Sequence, residues 1–160
     1  MCISMLNQFK NFCSLDMLYD TKFSSIPNKK GLYIVKAFPN KKVIFSSDTT
    51  AIREFKGKNM LYDTDELLAK FEISDKEILY IGKAGGKRNT LKQRISQFIR
   101  YGYGLAKNHR GGRAIWQVID NKNLLLGYME CKNPEKDEKL LLEQYKLKYS
   151  VLPLGNWKIG

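Results

Sequence analysis

Gly31-Leu32-Tyr33-Ile34-Val35-Lys36-Ala37-Phe38 and Ile78-Leu79-Tyr80-Ile81-Gly82 are the two stretches that decide how this chain folds. Both are short, apolar and rich in β-branched and aromatic residues, the composition of buried strands. Pro27-Asn28-Lys29-Lys30 leads into the first as a turn, and Pro39-Asn40-Lys41-Lys42 closes it. Val43 to Phe45 is long enough for a brief continuation strand. Gly85-Gly86 breaks the second stretch.

Helices are expected around these strands. Asn89 or Thr90 is placed to cap a helix from Leu91 to about Tyr101, stopped by Gly102 and Gly104. Asn133, Pro134 and the acids that follow open a second helix, running to about Tyr149. Ala114–Ile119 and Leu124–Cys131 suit two further strands joined by the turn Asp120-Asn121-Lys122-Asn123. The spacing of Met5, Phe9 and Phe12 makes residues 1–26 an arm or short helix. Residues 46–76 read as an insertion, with a short capped helix beginning near Thr64. The fold expected is α+β: a small antiparallel sheet flanked by helices, in one domain over residues 27–160.

The chain has 160 residues, 43% of them apolar, enough for a buried core and against wholesale disorder. Met1 to Phe12 lacks the basic start and unbroken apolar run of a secretory signal, so a cytoplasmic protein is expected. No apolar run approaches the roughly 18 residues that read as a membrane span, so no membrane partner is expected. Cys2, Cys13 and Cys131 are odd in number and far apart, against a disulfide framework or zinc knuckle.

Lys and Arg number 28 against 16 acids, a net charge of +12, which points to a polyanionic partner. From Ile78 to Ile119 there is no Asp or Glu at all. Lys87, Arg88, Lys92, Arg100, His109, Arg110 and Arg113 lie there, with Phe98, Tyr101, Tyr103 and Trp116 interleaved. Such a field suits phosphate contact, so a nucleic acid, DNA or RNA, is the expected partner. Gly82 to Arg88 is glycine-rich but has neither the spacing nor the Ser or Thr of a nucleotide-binding P-loop.

Two carboxylates compete for a catalytic place on the last helix. Glu138 opens the apolar face Leu141, Leu142, Tyr145, Tyr149, but an acid in a first turn also complements the helix dipole. Glu143 lies between Leu140 and Leu147, a second apolar row, and a carboxylate buried there needs a cation or hydrogen bonds. On this reasoning Glu143 is preferred. Arg94, three residues after Leu91 and four before Phe98, should lie against the body of the protein and need an anion.

Gly31-Leu32-Tyr33, then Tyr80-Ile81-Gly82-Lys83-Ala84, Leu91-Lys92-Gln93-Arg94, Leu140-Leu141-Leu142-Glu143, Pro153 and Asn156 together resemble the catalytic module of the GIY-YIG endonuclease superfamily, most of all its excision-repair branch. Three departures stand out. Leu32 replaces isoleucine, 46 residues separate Tyr33 from Tyr80, and Phe98 stands where many members carry a histidine or tyrosine. The resemblance implies a metal-dependent endonuclease that hydrolyses DNA phosphodiesters. Tyr33 would be the base, helped by Lys83, and Tyr80 would position water or phosphate. Arg94 would neutralise phosphoryl charge, Glu143 would hold Mg²⁺ or Mn²⁺, and Asn156 would support the site. The alternative is the same fold serving only as a nucleic-acid-binding module.

Overall fold

A computed structural model of the protein describes residues 3–85, 88–105 and 111–159, the side chains of Ile3 and Ser4 excepted. The fold is α+β. Among the described residues six strands and five α-helices follow in the order α1 (Ile3–Leu6), β1 (Lys10–Ser14), α2 (Leu15–Asp20), β2 (Gly31–Lys36), β3 (Glu54–Phe55), β4 (Lys58–Asn59), α3 (Thr64–Ile73), β5 (Ile78–Ala84), α4 (Leu91–Gly102), β6 (Leu125–Glu130), α5 (Pro134–Tyr149). Four strands form an antiparallel sheet in the order β1-β6-β2-β5, and β3 and β4 make a separate small hairpin.

The register explains the two apolar stretches. Tyr33 stands opposite Gly82 on one side and Tyr128 on the other, and Val35 stands opposite Tyr80 and Leu126. Residues directly opposite share a face, so these side chains look the same way. They enter a core with Leu91, Ile95 and Phe98 of α4. The alternate residues Leu32 and Ile34 enter a second core with Leu141 and Leu142 of α5. The central strands are buried on both faces, which is why they read as continuous apolar runs. β5 is the sheet edge, so residues carried by α4 and by α5 can meet around it.

Local chemistry fixes the helix starts. Thr90 and Gln93 form a capping box at α4, and the Asn133 side chain accepts from the Lys136 N–H before Pro134 at α5. Asp63, not Thr64, caps α3.

Three segments differ from the sequence expectation. Residues 10–14 are not an arm but edge strand β1, paired with β6. Ala114–Ile119 is mostly a 3₁₀ helix, Arg113–Gln117, and its strand character shrinks to one bridge between Val118 and Phe45. The Gln117 side chain explains the change. It accepts from the Tyr62 N–H at 2.7 Å and donates to the Tyr62 carbonyl at 2.9 Å, occupying this segment with the insertion rather than with a sheet neighbour. That insertion is also no loose loop, because Leu67 and Phe71 of α3 are in the core. Cys13 and Cys131 are unpaired thiols. Among the described residues no helix is long and apolar enough to cross a membrane.

Candidate active site

Aromatic rings build the floor of the site. Tyr33 and Tyr80 meet edge-on at 5.9 Å, Tyr80 stacks on Phe98 at 5.5 Å, and Phe98 leans on Trp116 at 5.0 Å. Phe98 therefore acts as a packing post for both tyrosines. Gly82 leaves room for Tyr33: a Cβ there would stand 2.7 Å from the Tyr33 hydroxyl oxygen and closer still to the ring. Gly112 and Gly155 do the same for Tyr80, each bringing a would-be Cβ to 2.9 Å from its ring.

Tyr33 is fully buried, and its hydroxyl oxygen has no hydrogen-bond partner among the described residues. The Tyr80 hydroxyl acts on it without closing a bond of normal geometry. Burial pushes the Tyr33 pKa up to about 12, with Arg94 pulling in the opposite direction and losing. Tyr80 is raised as well, again mainly by burial. Both phenols are neutral at physiological pH. Lys83, expected to assist Tyr33, is not among the groups acting on it.

Lys83 turns to the other face of β5 and lies 3.8 Å from Glu138 of α5. Glu138 is the carboxylate that completes the cluster. Its side chain is only 12% exposed. Burial raises its pKa above the ordinary glutamate value, opposed by Lys83 and Arg94 and reinforced by Glu135. Arg94 is half-buried. It donates to the Gln97 side-chain oxygen at 3.1 Å and forms no ion pair among the described residues. Tyr33, Tyr80, Lys83, Arg94 and Glu138 thus gather around the edge of β5.

Glu143 does not join them. It is exposed, beside Lys146, Leu147 and Ser150, about 140° around α5 from Glu138. The second apolar row expected to bury it is not buried, for Leu147 is 86% exposed. Leucine on a surface is ordinary, so that row carried no information about burial. Glu138, three and four residues before Leu141 and Leu142, lies on the stripe that does pack.

Asn156 has a different place from the one expected. Its side chain accepts from the Ile81 N–H at 3.0 Å and donates to the Ile81 carbonyl at 2.8 Å. The Gly155 N–H donates to Leu79. Residues 155–156 thus pair with the free edge of β5 on either side of Tyr80. Lys70 of α3, absent from the sequence reading, donates to the carbonyls of Leu154 and Asn156 and holds the tail from outside. Burial lowers its pKa to about 8.

Of the expected phosphate contacts, Arg88 and Arg100 are exposed and Lys92 is half-buried. Arg113 differs. Its guanidinium donates to the Met60 carbonyl and to the Tyr62 hydroxyl, which ties it to the insertion. Lys87, His109 and Arg110 lie outside the described residues.

No group of three or more His, Cys, Asp or Glu suited to a metal ion occurs among the described residues. The Glu138 carboxylate still fits a magnesium-type ion. It offers hard oxygens, the Lys83 amine stands at 3.8 Å, beyond hydrogen-bond length, and Mg²⁺ is commonly held by one or two carboxylates, waters and substrate phosphate. The chain matches no protein-family model, no curated protein and no solved structure in these comparisons.

Proposed function

We propose that this protein is a divalent-cation-dependent nuclease that hydrolyses DNA phosphodiester bonds at the edge of β5. One observation carries the reading. A half-buried arginine with no ion pair among the described residues and a largely buried carboxylate of raised pKa flank two buried tyrosine hydroxyls. Keeping such groups together is unfavourable for the fold, and perturbed titrating groups gathered in this way are typical of functional sites.

Roles follow from the chemistry of each group. Arg94 supplies the fork that binds two non-bridging phosphate oxygens and neutralises charge as it develops. Tyr33 and Tyr80, neutral at working pH, orient phosphate or the attacking water through their O–H groups. Lys83 offers a second positive charge and pairs with Glu138 when no cation is there. Glu138 would hold Mg²⁺ or Mn²⁺, which when bound supplies Lewis-acid stabilisation of the phosphate. Water adds to phosphorus, one P–O ester bond breaks, and the products are a phosphate monoester and a hydroxyl. Asn156 and Lys70 position β5 and its tyrosine and touch no substrate.

The test is plasmid nicking with Mg²⁺ and with EDTA. Arg94→Ala should lose roughly 10²- to 10³-fold in rate, the usual loss for a donor to developing negative charge. Glu138→Gln should lose at least as much, whereas Glu143→Gln should cut like wild type. Equal activity of Glu138→Gln and wild type would end the assignment. A wild-type protein that binds DNA and never cuts it would favour the binding-module reading.

A further inference from the structure

α2 and α4 enclose a groove of about 700 Å³ that is separate from the site at β5. Lys92, Ser96 and Arg100 line it from α4. They recur every four residues, one stripe of the helix, and Arg94 lies about 160° round from Lys92. Lys22 adds a third cation from the turn after α2. None of the three cations has an ion pair among the described residues, while the groove's single acid is Asp20. The rest of the lining is different in kind. Tyr19, Phe23 and the exposed Leu105 give it an aromatic and apolar wall. Tyr19 is fixed there by a parallel stack on Tyr103, with centroids 4.0 Å apart and planes 10° from parallel. Lys22 and Phe23 are consecutive non-glycine residues in the left-handed region, at φ 53° and 59°. That conformation is unfavourable and is retained here at the groove wall.

We propose that this groove binds unpaired nucleotides of a single-stranded nucleic acid, with phosphates on Lys22, Lys92 and Arg100 and a base against Tyr19. Cations alone would suit any polyanion. Cations beside a held aromatic ring and an apolar wall are the combination that takes single strands, whose bases are free to stack. A volume of about 700 Å³ admits a nucleotide or two and not the width of a duplex. The groove is built partly by residues 15–23, which precede the strands that carry the site. Its binding does not depend on whether the site at β5 cuts.

The experiment measures fluorescence anisotropy of a labelled ten-residue oligothymidylate, in EDTA and in the Glu138→Gln background, so that cleavage plays no part. Lys22→Ala with Arg100→Ala should weaken binding about tenfold or more at low salt. Tyr19→Ala should weaken oligothymidylate by about tenfold and leave an abasic oligonucleotide of equal length unchanged. Tyr19→Phe keeps the ring and should bind both like wild type, which separates stacking from loss of folding. Unchanged oligothymidylate binding in the double variant overturns the groove. So does an equal loss for the abasic strand in Tyr19→Ala. A duplex that loses as much affinity as oligothymidylate in the same variants overturns the single-strand assignment. Each result leaves the plasmid-nicking test standing on its own.

Discussion

Gly82 has no room for a side chain, because the ring of Tyr33 lies across it from the neighbouring strand. Gly82→Ala forces the tyrosine off its position, and overpacking of this kind costs about 1–3 kcal/mol. Thermal melting should show that loss, and near-ultraviolet circular dichroism should show the tyrosines displaced. At Glu138 the electrostatics give a prediction of opposite sign. Its pKa is higher in the fold than in the unfolded chain, because burial disfavours the anion. Between those two pKa values the unfolded chain binds fewer protons, so stability falls as pH rises through that window, and the deficit is complete above the folded-state value. Glu138→Gln should therefore melt higher than wild type at pH 7 in EDTA. The gap should close as pH falls to the ordinary glutamate pKa of about 4.3. A variant that melts lower at pH 7 would mean that the pairing with Lys83 outweighs burial. A residue that costs stability while serving the site is the usual trade between stability and activity.

Among the elements, the contact between the tail and β5 is the most exposed to a single substitution. Asn156 uses both ends of its amide on the backbone of Ile81, substituting for a missing fifth strand. Asn156→Ala leaves a buried N–H and a buried carbonyl without partners, at about 1–3 kcal/mol each. The expected fall in Tm is roughly 4 to 24 °C, checked by calorimetry. Asn156→Asp keeps the acceptor and loses the donor, so it should fall nearly as far at pH 7 and recover in acid. β2, β5, α4 and α5 were legible because their signals are local: two apolar runs with turn residues, a cap candidate at Asn89 or Thr90, and an Asn-Pro start. β1 was not, because Lys10–Ser14 is half exposed and pairs with a strand more than a hundred residues away. The 3₁₀ segment at Arg113 was misread because its apolar residues suit a strand equally well, and the deciding partner is Tyr62 in a distant insertion. The sequence named Tyr33, Tyr80 and Arg94 from their motifs, and the structure brings them close to one another around β5. The preference for Glu143 over Glu138 rested on burial of the Leu140–Leu147 row of α5, and the structure leaves Leu147 exposed.

For the whole molecule, charge sets the behaviour that is simplest to measure. The net charge is +12, and within the acid-free segment around α4 Arg88 and Arg100 are exposed while Lys92 and Arg94 are half-buried. Arg88, Lys92, Arg94 and Arg100 form no ion pair among the described residues. Binding to duplex DNA should therefore release counterions, with log K falling against log salt by about 0.9 for each phosphate neutralised. Lys92 and Arg100 look into the groove, whereas Arg94 looks toward β5. Duplex contact with half of these cations gives a slope of about −1.8, and contact with all four about −3.6. The steeper value corresponds to a loss of roughly a hundredfold between 50 and 200 mM salt. Titrations in EDTA read the slope directly, and Arg88→Ala should make it shallower by about one. A slope near zero would mean that the positive field is spent on solvation, and the case for a nucleic-acid partner would lose its main physical support.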